Sequence, residues 1–172
     1  FGQQLYALDI STSGVDVIQR RQIPRLVEAR RFDGSHVPYE AARFDLAILS
    51  HVVEHLEHPR QLLYEASRVA RYVFVEVPLE DMSRHPNDYH ADKVGHINFY
   101  SRRTIRWLLQ SCGLRVIGQM TTNPSKATYT HAAGRKGLLQ YYVKETLLNL
   151  APGVATGHFC YHESLLATRE GH

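Results

Sequence analysis

The chain has 172 residues and a mass of 19.7 kDa, with 44% hydrophobic and 22% charged residues. This is the composition of a globular protein able to bury a substantial core, and a single domain spanning residues 1–172 is expected. The formal net charge is only +3, with basic residues dispersed along the chain, so charge does not call for a nucleic-acid partner. Cys112 and Cys160 lack the CxxC spacing of a zinc knuckle or a disulfide framework, which fits a reducing cytoplasm.

No apolar run approaches the roughly 18 residues of a membrane span, and the opening FGQQ lacks the basic start and apolar stretch of a secretory signal. Leu5–Asp9 is a short apolar run ending in an acid. Residues 26–32 alternate and end at Asp33-Gly34, and Phe44–Ser50 is apolar almost throughout. These read as strands, the third buried on both faces. Pro59–Val69 places Leu62, Leu63, Ala66 and Val69 on one helical face, with proline in the first turn. Residues 71–78 give a fourth strand stopped by its proline. Ser101–Cys112 reads as a helix with Ser101 as cap and Gly113 behind. Residues 114–120 and 158–168 read as further strands. Strands and helices alternating in this way predict an α/β fold: a Rossmann-like, mostly parallel sheet with helices on both faces.

Two stretches interrupt the alternation. Residues 79–96 are polar, rich in His and Asp, and follow a strand end, where binding loops of such sheets lie. Tyr89 and His96 are their substrate-side candidates. Residues 121–157 form an insertion, polar at first and then an amphipathic helix over Gly137–Leu150, which could cover a site, make a homodimer contact or pack on the sheet edge.

The string SHVVEHLEHP at residues 50–59 contains His51-x-x-Glu54-His55, the spacing of an inverted zinc-peptidase motif. It follows a buried strand directly and meets Pro59 within a turn or two, which is the context of a strand-to-helix crossover and not of a long zinc-binding helix. His51 falls at the strand end and is the candidate catalytic residue: an imidazole there can take a proton from a hydroxyl or amine.

Four strings in register, YALDIS (6–11), FDGS (32–35), RFDLAILSHVVEH (43–55) and GHINFYSRRTIRWLL (95–109), resemble the class I S-adenosylmethionine-dependent methyltransferases of the type 11 domain group. The likeness runs from about Leu5 to Val116. It implies transfer of a methyl group from S-adenosylmethionine to an oxygen, nitrogen or carbon nucleophile of a small or modified molecule. By position, Asp9 with Ile10 would hold the ribose hydroxyls, Asp33 and the Gly34 backbone the adenine, and Ser50 with His51 the methionine end. A carboxylate accepts from two hydroxyls at once, and an ionised Asp33 suits an exocyclic amine while Gly34 allows close backbone approach.

The same likeness implies a glycine-rich turn, with a first strand and a first helix, about 20 residues before Asp9, whereas only eight residues precede it here. The expectation is a segment of a longer protein whose sheet leaves two neighbouring strands with unpaired edges. An incomplete or non-catalytic domain acting through protein contacts is the alternative. Some relatives, ubiquinone-pathway and small-RNA 2′-O-methyltransferases, bind a divalent ion through Glu-x-x-Glu-His at this point. The matching residues His51, Glu54 and His55 form an alternative metal set, and the imidazole in first place shifts its preference from Mg²⁺ toward a transition metal.

Overall fold

A computed structural model describes residues 3–83 and 94–169. The elements in chain order are β1 (Leu5–Asp9), α1 (Thr12–Arg20), β2 (Leu26–Arg31), β3 (Phe44–Ser50), α2 (Pro59–Val69), β4 (Ala70–Pro78), α3 (Arg102–Ser111), β5 (Leu114–Thr122), α4 (Lys126–Leu150), α5 (Pro152–His158) and β6 (His162–Arg169). A single 3₁₀ turn, Val53–His55, links β3 to α2.

The strands form two groups. β1 pairs with β2 in parallel, and a second sheet runs in the order β3-β4-β6-β5, with β3 and β4 parallel and β6 antiparallel to both its neighbours. Among the described residues β1 pairs with β2 alone and β3 with β4 alone, so β1 and β3 are both edge strands. Between them lies a cavity of about 290 Å³ lined by Tyr6, Leu8, Phe32, Leu46, Leu49 and Val52 among others. Tyr6 closes one end by packing on Phe44, with ring centroids 5.1 Å apart, so β1 and β3 start at the same side of the molecule.

α2 buries Leu62, Leu63, Ala66 and Val69 on the larger sheet, the face its spacing predicts. α3 adds Ile105 and Leu109, and the sheet supplies Val73, Val75 and Leu165; all five of these are fully buried. α3 begins in a capping box in which Ser101 and Thr104 each satisfy the other's backbone N–H.

Several features depart from the sequence reading. α1 is an additional helix, capped by Ser11, whose side chain accepts from Gly14 N at 3.0 Å. The polar stretch before Gly137 is helical from Lys126, and α4 is two arms folded against each other at Ala133 and Gly134, where Gly134 takes φ 54°. The arms meet so closely that a Cβ on Gly137 would lie 2.0 Å from the Tyr129 carbonyl oxygen.

Along Gly137–Leu150, Leu139, Tyr142, Val143 and Leu150 are exposed. Leu147 and Leu148 of the same helix pack with Leu79, Ala155 and Tyr161. The last strand starts at His162, not His158, because α5 occupies the preceding residues. No helix among the described residues is long and apolar enough to cross a membrane.

Candidate functional site

Parallel strands bring their carboxyl ends to one edge of a sheet, where the chain turns away and leaves a crevice. Asp9 ends β1, Ser50 ends β3 with His51 directly after it, and Glu76 lies near the end of β4. β6 runs the other way, so its first residue, His162, reaches this same edge, paired with Pro78 of β4 and Thr122 of β5.

At the end of β1, Asp9 Oδ1 accepts from Ser11 N (2.7 Å) and Ser11 Oγ (2.8 Å). The carboxylate sits against the first turn of α1, where only glycine fits: a Cβ at Gly14 would lie 2.4 Å from Asp9 Cγ and Oδ2. Beyond β2, Asp33 Oδ1 accepts from His36 N (2.7 Å), Ser35 N (2.8 Å) and Ser35 Oγ (3.0 Å). These bonds, that from His36 foremost, hold its carboxyl below the ordinary range. Gly34 takes φ 84°, and a Cβ there would press on Ile10 Cγ2 at 3.3 Å. Asp9, Ile10, Asp33 and Gly34 are therefore brought together, with the Ile10 side chain exposed beside the glycine.

The loop carrying Asp33 is clipped to α2. Arg68 donates from Nε and Nη2 to the two Glu65 oxygens (2.8 and 2.7 Å), and from Nη1 and Nη2 to the carbonyls of Tyr39 and Val37 (both 2.8 Å). Glu65 Oε2 also receives Val37 N (2.9 Å) and lies 2.9 Å from His36 Nδ1. This network, the Arg68 fork above all, pulls the Glu65 carboxyl down to about 2.

His51 takes φ 53°, left-handed backbone that histidine tolerates better than most residues and that is concentrated at functional sites. Its Nδ1 lies 3.1 Å from Oε1 of Glu54, a fully buried carboxylate, and its Nε2 3.5 Å from Glu76 Oε1. Since a carboxylate only accepts, the Glu54 contact places a proton on Nδ1, while Nε2 faces the second carboxylate, Glu76, at the longer distance. Ser50, expected to face cofactor, donates to Glu76 Oε1 (3.1 Å), and Ser164 donates to Glu76 Oε2 (3.0 Å). The His162 ring packs edge-on to His51 at 4.8 Å, and burial, followed by the charge of His51, lowers its pKa.

The Val53–His55 turn is held from the other side by residues 94–98. Asn98 Nδ2 donates to Leu56 O (2.7 Å), and Ile97 N and Asn98 N donate to Glu54 O (2.9 and 3.0 Å). This docking sets the His96 ring 4.7 Å from that of His55. His96 is buried, with Nδ1 2.6 Å from Glu80 Oε2. The sequence-derived metal set is thus divided: Glu54 and His55 converge with His96, while His51 joins Glu76 and His162. Tyr89 lies outside the described residues.

Glu76, Glu80, Asn98 and His162 were not singled out from sequence. The one available signal was an acid, Glu76, inside the otherwise apolar run VFVEVP.

No curated protein matches the chain by sequence. Solved structures do match in fold. The [4+2]-cyclase SpnF aligns at TM-score 0.65 and 16% identity over 96% of this chain and 66% of its own. A geranyl diphosphate methyltransferase in complex with SAM aligns at 0.67 and 12% over 98% and 70%. A SAM-dependent methyltransferase from Aquifex aeolicus aligns at 0.56 and 14% over 95% and 68%. The chain thus spans about two thirds of the length of these proteins, and one of them is a cyclase, so the shared fold does not by itself fix the reaction. The profile of the methyltransferase domain matches residues 1–119, well over half of the chain, and this stretch carries Asp9, Asp33, His51 and the strands that place them. The chain belongs to the class I S-adenosylmethionine-dependent methyltransferase family.

Proposed function

We propose that this chain transfers a methyl group from S-adenosylmethionine to an oxygen, nitrogen or carbon nucleophile of a small or modified molecule, with the cofactor along the ends of β1, β2 and β3. The observation that carries the reading is the Asp9 carboxylate held against Gly14 at the end of β1, beside the Gly34–Ile10 contact. Ser11 occupies one Asp9 oxygen and leaves Oδ2 for a ribose hydroxyl. Asp33, ionised by the backbone amides around it, suits an adenine amine, with the Gly34 backbone and Ile10 flanking the base.

Bound there, S-adenosylmethionine supplies an electrophilic methyl group on its sulfonium. His51 stands next to Ser50 at the strand end that faces the methyl, its ring oriented by buried Glu54. In the neutral ring Nε2 takes the proton of a hydroxyl or amine nucleophile, and Glu76, held by its two serine donors, lies 3.5 Å from that nitrogen. Alignment of the nucleophile supplies much of the rate in such displacements, so His51 contributes as positioner and proton acceptor together.

The test is formation of S-adenosylhomocysteine from S-adenosylmethionine over a panel of phenolic, amine and carboxylate acceptors. The expected result is turnover with at least one class that falls sharply in His51→Ala. Turnover that His51→Ala leaves unchanged would remove His51 from the reaction.

A further inference from the structure

Glu54 is fully buried, and while Oε1 meets His51, Oε2 has no hydrogen-bond partner among the described residues. An unsatisfied carboxylate oxygen in the interior is expensive, and it is stabilised most by a cation. The Tyr100 hydroxyl, packed beside Glu54, donates to Val53 O at 3.5 Å and so does not serve that oxygen.

Two imidazoles converge on the same spot. His55 Nδ1 is 3.2 Å from the Gly95 carbonyl, and His96 Nδ1 is 2.6 Å from the Glu80 carboxylate. Both partners only accept, so each ring carries its proton on Nδ1, which makes Nε2 the nitrogen able to ligate an ion. A carboxylate or carbonyl holding the far nitrogen of each ring is the usual support of metal-ligating histidines. Ligand-capable atoms of Glu54, His55 and His96 all lie within 4.8 Å of one another.

We propose that Glu54, His55 and His96 hold one divalent transition-metal ion, with Glu80 and the Gly95 carbonyl orienting the two rings and His51 gripping the other Glu54 oxygen from outside the ligand set. Two nitrogens and one carboxylate favour zinc-like ions over Mg²⁺, which prefers an oxygen shell. Three protein ligands leave a coordination position open. The site is linked to His51 through Glu54, and it stands whether or not the methyl-transfer reading does.

The test strips the full chain with chelator, then titrates Co²⁺, Zn²⁺ and Mg²⁺, reading ion stoichiometry, the Co²⁺ visible spectrum and the shift in melting temperature. The expected result is one Co²⁺ or Zn²⁺ per chain, a ligand-field spectrum with nitrogen donors, a raised melting temperature and no displacement by millimolar Mg²⁺. His55→Asn lies on an exposed residue and spares the core; it and His96→Gln should each weaken binding by roughly 10–100-fold or more. His162→Ala and His51→Ala should keep one ion per chain. Absence of stoichiometric binding, preference for Mg²⁺, or binding unmoved by His55→Asn and His96→Gln would overturn the proposal.

Discussion

Arg68→Ala should be among the most destabilising single changes at a residue that is not fully buried. The guanidinium makes four hydrogen bonds, two to Glu65 and two to the carbonyls of Val37 and Tyr39, with 28% of its side chain exposed and 17% of that of Glu65. A charged hydrogen bond is worth about 1.5–3 kcal/mol at most, and partial exposure lets water replace part of it. Counting about 1.5 kcal/mol for the bidentate pair and somewhat under 1 kcal/mol for each carbonyl gives a loss of ~3 kcal/mol.

For a chain of this size that corresponds to a fall in melting temperature of roughly 6–12 °C. Urea unfolding followed by circular dichroism measures it directly. Arg68→Lys should recover less than half, because one ammonium cannot serve a carboxylate fork and two carbonyls at once. A loss below about 0.5 kcal/mol, within the range of ordinary surface substitutions, or a lysine variant as stable as the parent, would refute the clip as the anchor of the Asp33 loop.

Gly14→Ala places a methyl 2.4 Å from the Asp9 carboxylate; it should weaken S-adenosylhomocysteine binding by roughly 10–100-fold, the loss of about one charge-assisted bond, with the far-ultraviolet spectrum unchanged. His51→Gln should lower kcat by about 10²–10⁴ while the cofactor Kd holds, which single-turnover assays and calorimetry separate. Glu65 has a folded pKa of about 2 against an ordinary 4.5; its contribution is complete above pH ~4.5 and is lost as pH falls toward ~2. Acid-unfolding curves of Glu65→Gln should therefore lack that part of the slope. Gly137→Ala drives a methyl into the Tyr129 carbonyl at 2.0 Å, so it should splay the arms of α4 and cost about 1–3 kcal/mol, visible as earlier proteolysis of α4.

The strands β1 to β4 and helices α2 and α3 were legible because each carries a local pattern: apolar runs with stop residues, a helical stripe, a serine cap. α1 was not, since its nine residues bury only Val15 and include Gly14, which reads as a breaker although it is there to admit the Asp9 carboxylate. The fold-back of α4 turns on two residues, Ala133 and Gly134, inside an otherwise helical composition.

The candidate site was legible where it follows a strand end in sequence, at Asp9, Asp33 and His51. It was hidden where long-range register decides. His162 reaches His51 only because β6 pairs antiparallel with β4 at Pro78, and His96 reaches His55 only because Asn98 docks its segment on the Val53–His55 turn. Spacing alone joined His51 to Glu54 and His55 as one ligand set, while the left-handed backbone of His51 helps turn its ring toward Glu76.

The proposed cofactor site lies at the ends of β1 and β2. Calorimetric titration of the chain with S-adenosylmethionine and S-adenosylhomocysteine, repeated with Asp9→Ala, probes it. Saturable binding of both at one site, abolished by Asp9→Ala without loss of fold, is the predicted result. Absence of binding, or equal binding by the folded variant, would contradict it.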